Sequence, residues 1–251
     1  MTRATYVIED LAEQLSQPHS LTLRGAEGRH AVTVKRVQPG EELLVISGQG
    51  IWAEVCVERI LAKDQALLQV QRQGEVRPPR PQVRVVHAIP KSERAELAVD
   101  LSTQAGADVI IPWQAEHCVA KWVGAKKIER SLEKWQQAAK AAAKQARRRI
   151  IPTVTEPCDT SDLVQLIRQI QDQGGQAFLL DGEADSRLID EDFDLDEVII
   201  IIGPEGGISP REQEQLQDAG AKTVRLGPEV LRTASAGMVA LAAIGSRSQR
   251  W

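Results

Sequence analysis

The residues that most invite a chemical reading are Gly203-Pro204-Glu205-Gly206-Gly207, a glutamate set in the middle of a glycine loop. Glycines leave backbone N–H and C=O groups open to a ligand because no Cβ stands in front of them. The spacing is neither the G-x-G-x-x-G of a dinucleotide site nor that of a P-loop, which ends in Lys-Ser/Thr. A central carboxylate would also repel phosphate. The expected ligand is neutral or cationic where it meets this loop, which points away from ATP. A second Gly-Pro-Glu stands in Leu226-Gly227-Pro228-Glu229-Val230-Leu231-Arg232-Thr233.

The neighbouring elements must position these loops. Val198 to Ile202 is a β-branched apolar run closed by Gly-Pro, the pattern of a strand buried on both faces of a parallel sheet. Ser209-Pro210-Arg211-Glu212 offers an N-cap serine, a proline at the first helical position and a glutamate at the third, a capping box that contributes about 1 kcal/mol. Strand, glycine loop and capped helix together mark where open α/β sheets bind ligands. A strand over Thr223 to Leu226 carries the second loop, and Ala234 to Gly245 reads as a helix of small residues able to lie close to another helix or to a second chain. Two glycine loops after neighbouring strands would form one pocket built largely of backbone amides.

Further strands are expected at Val83 to Ile89, Asp108 to Pro112, Gln176 to Asp181 and Glu197 to Ile202. Helices are expected from Glu93 to Gln104 and from about Lys127 to Arg149, the latter with Ile128, Leu132, Trp135, Ala139 and Ala142 on one stripe. The alternation makes this half an α/β domain with a mainly parallel sheet and helices on both faces. Upstream, short strands at Tyr6 to Ile8, Leu21 to Leu23, Ala31 to Val34, Glu42 to Ile46, Trp52 to Val57 and Leu67 to Val70 have the spacing of a small barrel. Three prolines in Arg77-Pro78-Pro79-Arg80-Pro81 read as a stiff linker between the two.

At 251 residues, 42% of them hydrophobic, the chain has room for one large domain or two modest ones. No apolar run approaches the roughly 20 residues of a membrane span, and the N-terminus lacks a signal-peptide core, so a cytoplasmic protein with no membrane partner is expected. Cys56, Cys118 and Cys158 have no metal-ligand spacing and are odd in number, which favours buried free thiols and no metal. The net charge of −4 conceals a segregation: Lys121 to Arg149 holds ten Lys/Arg against Glu129 and Glu133, while Asp181 to Glu197 holds nine acids against Arg187. The first segment is a candidate polyanion footprint and the second cannot be.

With both loops in view, the chain resembles the SPOUT class of RNA methyltransferases and within it the RsmE family, the 16S rRNA uracil-N3 methyltransferases. The resemblance rests on Ile202 to Ser209 with Glu212, and on Leu226 to Ala236. It extends to Lys91 with Arg94 and Glu96, Gln104 to Ala107 leading to Pro112, Ala142 to Arg148, and His30 to Arg36 with Pro39-Gly40. It covers nearly the whole chain.

With the boundary set at the Pro-rich linker, 75–82, the resemblance implies a PUA-like β-barrel over residues 1–74 that grips RNA and a SPOUT domain over 83–251 threaded into a trefoil knot. It implies S-adenosylmethionine bound among three loops, at Leu180, Asp181, Gly182, Ile202, Gly203, Pro204, Glu205, Gly206, Gly207, Ile208, Leu226, Gly227, Leu231, Arg232, Thr233, Ala234 and Ala236. It implies a homodimer, and as target the uridine known as 1498 in the usual rRNA numbering, within the small ribosomal subunit. Many relatives carry Leu-Arg-Thr-Glu-Thr-Ala in the last loop, where this chain has Ala234 and Ser235, so no carboxylate there is given a catalytic role. Leu101 to Gly106 and Glu116-His117-Cys118 also depart from the family pattern.

Methylation at N3 removes an imide proton and places negative charge on the ring oxygens, which an always-protonated side chain stabilises; Arg232 is the candidate, the alternative being that it only pairs a carboxylate or holds the loop. Glu205 either meets the cofactor's positive charge or accepts hydrogen bonds within its own loop. Phosphate contacts are expected from Arg24, Arg29, Lys35 and Arg36 on the barrel and from Lys140, Lys144, Arg147, Arg148 and Arg149. The alternatives are a SPOUT enzyme acting on a ribose 2′-oxygen or a tRNA base, and a non-catalytic RNA-binding relative with broken cofactor loops.

Overall fold

The computed structural model describes residues 3–16, 20–91 and 94–251. The chain divides into two compact units, Met1–Pro78 with Ala143–Ile151, and Pro79–Ala142 with Pro152–Trp251.

The first unit is built on strands β1 (Ala4–Val7), β2 (Ser20–Leu23), β3 (Glu42–Ile46), β4 (Ile51–Ala62) and β5 (Gln65–Glu75), in the order β1-β3-β4-β5-β2. The β1–β3 pair is parallel and the others are antiparallel. Alternate residues such as Leu43, Val45, Ala53, Val55, Val57 and Leu68 face one core, which the short helix α1 (Leu11–Leu15) closes through Leu11. The strand expected at Ala31 to Val34 is instead helical: α2 (Gly25–Arg29) runs on through a π-helical segment, His30–Lys35. Gly28 and Ala31, three apart, are buried while Thr33 and Val34 are exposed, which is helical spacing and not alternation. Gly28 has no substitute here, since a Cβ would stand 2.0 Å from the Asp64 carbonyl oxygen.

Among its described residues the second unit holds six strands, all parallel: β6 (Gln82–Ala88), β7 (Val109–Trp113), β8 (Thr153–Val154), β9 (Gln176–Leu180), β10 (Glu197–Ile202) and β11 (Lys222–Val224), in the order β11-β9-β10-β6-β7-β8. Helices α3 (Ala95–Ala105), α4 (Ala125–Gln145), α5 (Thr160–Asp172), α6 (Pro210–Asp218) and α7 (Thr233–Ser246) connect and cover them. The start expected for α3 at Glu93 lies outside the described residues. On one face Val86, Ile111, Leu179, Ile199 and Ile201 pack with Leu163 and Ile167 of α5 and Leu216 of α6. On the other, α7 lies so close that a Cβ on Gly237 would stand 2.8 Å from Ser102 Oγ of α3 and 3.1 Å from Ile202 Cδ1. The small residues of α7 thus serve contact with α3 and the sheet within the chain. Trp135, expected in the core, is 1% exposed.

Two ends are fixed by specific contacts. Helix α4 stops at Gln145, short of the expected Arg149, because Arg147 takes a left-handed φ of 55° and the Arg148 N–H turns back to the Ala143 carbonyl at 2.9 Å. Near the C-terminus Arg250 is buried against Asp108 at 2.7 Å and donates also to the carbonyls of Gly106 and Pro81.

Candidate active site

Strand β10 lies between β9 and β6, and β9 pairs on its other edge with β11. The loops leaving the carboxyl ends of β9, β10 and β11 therefore converge. They line one cavity of about 360 Å³. Of the residues expected at the cofactor, Leu180, Asp181, Gly182, Ile202, Gly203, Pro204, Gly207, Ile208, Leu226, Gly227, Leu231, Thr233 and Ala236 line it. Glu205, Gly206, Arg232 and Ala234 are not in the lining. Leu179, Gln213, Glu229 and Val230 line it as well. Leu179 is hidden in an apolar strand, whereas Gln213, one turn into a capped helix that opens beside the loop, could have been anticipated from that cap; its Nε2 lies 3.5 Å from Asp181 Oδ2.

The lining has a definite chemistry. Its only ionisable side chains are the carboxylates of Asp181 and Glu229, and it contains no Lys, Arg or His. Such a cavity disfavours a phosphate and suits a ligand with an apolar body and a positive centre. A Cβ placed on Gly182 or on Gly207 (φ +77°) would meet no atom within 4 Å, so the bare backbone leaves room for a ligand there. Gly203 is needed for packing, since a Cβ on it would stand 2.6 Å from Ile208 Cγ1.

The glycine loop is held from behind by Glu212, which is 5% exposed. Its Oε1 accepts the Thr160 hydroxyl at 2.6 Å and the Glu116 N–H at 3.0 Å, and its Oε2 accepts the Ser209 hydroxyl at 3.1 Å. Trp113 Nε1 in turn donates to Thr160 Oγ1 at 3.2 Å. The capping box read from the sequence therefore extends to the start of α5 and to the loop after β7. From that loop His117 reaches the glycine loop, with Nδ1 3.1 Å from the Gly207 carbonyl oxygen. Beneath the loops, buried His87 is the register partner of Ile202; burial pushes its pKa below the ordinary histidine value, which keeps the ring neutral.

Arg232 occupies the N-cap position of α7 and is exposed; it makes no ion pair or side-chain hydrogen bond among the described residues. Glu205 is exposed and accepts no hydrogen bond within its own loop. Among the expected phosphate-binding cations, Arg24 pairs with Asp10 at 2.8 Å and Lys144 Nζ binds both oxygens of Glu27 at 2.8 Å. The Arg149 guanidinium lies 4.0 Å over the Trp52 ring. Arg29, Lys35, Arg36 and Arg147 are exposed and without an ion pair among the described residues, and Lys140 and Arg148 are half-buried. All three cysteines are free; Cys118 is buried, and Cys56 and Cys158 are half-buried. Among the described residues no helix is long and apolar enough to cross a membrane, and no three His, Cys, Asp or Glu side chains are grouped to hold a metal ion.

A parallel sheet whose strand ends carry paired glycine loops, in a chain that also has a separate β unit, defines the class. A model of the RNA methyltransferase domain matches residues 77–245, and one of the RNA methyltransferase PUA domain matches residues 23–71. The ribosomal RNA small subunit methyltransferase E of Mycobacterium bovis is 44% identical over 228 residues, 90% of this chain and 86% of the relative. That of Bacillus subtilis is 30% identical over 252 residues, 97% of this chain and 96% of the relative. Among solved structures, a methyltransferase of Legionella pneumophila in complex with the bound cofactor SAM has a TM-score of 0.83 at 27% identity over 98% of each chain. The chain belongs to the ribosomal RNA small subunit methyltransferase E family.

Proposed function

We propose that this chain transfers the methyl group of S-adenosylmethionine to N3 of a uridine, 1498 in the usual rRNA numbering, in 16S rRNA of the small ribosomal subunit. The observation that carries the reading is the cavity itself: glycine loops that leave backbone groups open, Asp181 and Glu229 as its only charged side chains, and no cation to hold a phosphate. The family relation and the Legionella neighbour solved with this cofactor support it.

Bound there, S-adenosylmethionine would supply a methyl group made electrophilic by a sulfonium. Asp181 and Glu229 favour that positive charge, and the apolar walls of Leu180, Ile202, Ile208 and Leu226 exclude water from it. Arg232, without an ion pair among the described residues and beside Leu231 and Thr233 of the lining, holds the negative charge that develops on the uracil oxygens as the N3 proton passes to solvent water. In the first unit Arg29, Lys35, Arg36 and Arg147 hold phosphates and Arg24, Lys144, Arg148 and Arg149 support that surface, while Lys140 contributes from the second unit.

In this reading residues 1–74 are the RNA-gripping domain, 75–82 the linker and 83–251 the catalytic domain, knotted at its end and working in the cytoplasm as a homodimer without a metal. The exposed Met238 and Val239 of α7 are in keeping with a dimer face. The test is mass spectrometry of nucleosides from small subunits treated with the protein and the methyl donor. 3-Methyluridine is expected; a 2′-O-methyl nucleoside, or no product, would overturn the assignment.

A further inference from the structure

The groove at the start of α4 is built against the rules that stabilise helices. It encloses about 610 Å³ and its lining includes Val123, Lys126, Lys127, Arg130, Ser131 and Lys134. Lys126, Arg130 and Lys134 stand four residues apart on one helical stripe, and like charges at that spacing repel. Lys126 and Lys127 also stand in the first turn of the helix, where the macrodipole is positive and no acid is present. None of the four cations makes an ion pair or side-chain hydrogen bond among the described residues; the only acids of α4, Glu129 and Glu133, are exposed and fall outside the groove lining. Like charges stacked in this way are a local cost of the kind that functional sites carry.

The groove is joined to the cavity by one pinned segment. Gln114 clamps it, accepting the Trp122 N–H at 2.9 Å and donating to the Ala120 carbonyl at 3.3 Å. Trp122 packs edge-on to Trp135 of α4 at 5.3 Å. At its other end Glu116 is bound by Glu212, and His117 meets the Gly207 carbonyl. A polyanion seated on α4 is thereby held at a fixed place relative to the glycine loop, within one compact unit. This differs from the first unit, where Lys144 and Arg24 already have carboxylate partners.

We propose that this groove is an RNA-binding surface of the catalytic unit, in which Lys126, Lys127, Arg130 and Lys134 hold phosphates of the ribosomal RNA and fix the strand relative to the methyl-donor pocket. The inference rests on the RNA methyltransferase reading. Its readout is independent of catalysis: co-sedimentation of the full-length protein with small ribosomal subunits at about 50 mM and about 200 mM salt. The variant carrying Lys126→Gln, Lys127→Gln, Arg130→Gln and Lys134→Gln should bind at least about tenfold more weakly at the lower salt, with a shallower salt dependence. Its calorimetric affinity for S-adenosylmethionine should match that of the unaltered protein. The reverse variant, Glu129→Gln with Glu133→Gln, should bind more tightly. Subunit affinity and salt slope within twofold of the unaltered protein for both variants would overturn the proposal. Failure of the enzyme reading would show separately, as absence of methyl transfer by the unaltered protein.

Discussion

The glycine-loop cavity and the basic surfaces of this protein use charge in opposite ways. In the cavity the side-chain charges are two carboxylates, and the shape is made by backbone that glycines leave bare. Around α4 and the segment after it the cations divide into two kinds. Lys144 is enclosed with Glu27 and over the Tyr6 ring, and Arg149 lies on Trp52, whereas Lys126, Lys127, Arg130 and Lys134 make no ion pair among the described residues. The first kind holds the fold together and the second is available to a ligand. A run of positive charge is therefore not one functional object, and what separates its parts is the pairing that folding imposes.

The comparison can be broken most forcefully at Glu212. Glu212→Ala leaves the Thr160 hydroxyl, the Glu116 N–H and the Ser209 cap without their acceptor, and hydrogen bonds to a charged group contribute about 1.5–3 kcal/mol each. A loss of about 3–5 kcal/mol in urea unfolding is expected, together with weaker binding of the methyl donor. A variant as stable as the parent would show that the loop is held otherwise.

Arg232→Ala tests the next largest effect. Because the side chain makes no ion pair among the described residues, the stability should be unchanged, while kcat falls about 100-fold and the cofactor Kd stays within about threefold. A fall in stability with normal turnover would make it structural.

Lys144 and Arg147 sharpen the division between the two kinds of cation. Lys144→Met should cost about 1–3 kcal/mol in unfolding free energy by removing a largely buried pair with Glu27. Arg147→Gln should change stability by no more than about 0.5 kcal/mol and weaken small-subunit binding by a few-fold. The reverse pattern would undo the distinction.

The smallest expected effect is a pH dependence from His87. The folded protein disfavours the protonated ring, whereas the unfolded chain takes up a proton near the ordinary value of 6.5. Stability from this group is thus unaffected well above 6.5 and declines as pH falls below it. Replacing His87 by Gln should flatten that part of the profile of thermal unfolding against pH.

Much of the site was legible because glycine and proline report directly on backbone geometry. Gly203, Gly207 and Gly227 line the cavity between the strand ends, and the Ser209 box marked the helix start within a residue. The ends of the five expected strands of the parallel sheet agree with the apolar runs to one or two residues, whereas the two-residue edge strand β8 was not read. What could not be read was decided by distant partners. Ala31 to Val34 has strand-like composition, yet Gly28 must fit against Asp64 and Leu23, and that contact selects a helix. Arg147 leaves the helix through a left-handed residue that no glycine announces. Leu179 reaches the cavity only because β9 ends there, and the role of Lys144 depends on Glu27, 117 positions away.

The central claim is that the Gly203 to Ile208 loop and its neighbours hold S-adenosylmethionine. Calorimetric titration of the purified protein with that compound tests it most directly, with ATP as a control and Gly182→Leu as a variant that fills the open face of the cavity. The account predicts saturable binding of the methyl donor, no binding of ATP, and loss of at least about 100-fold in affinity for the variant, which is about 2.7 kcal/mol. Equal binding by the variant and the parent, or preference for ATP, would contradict it.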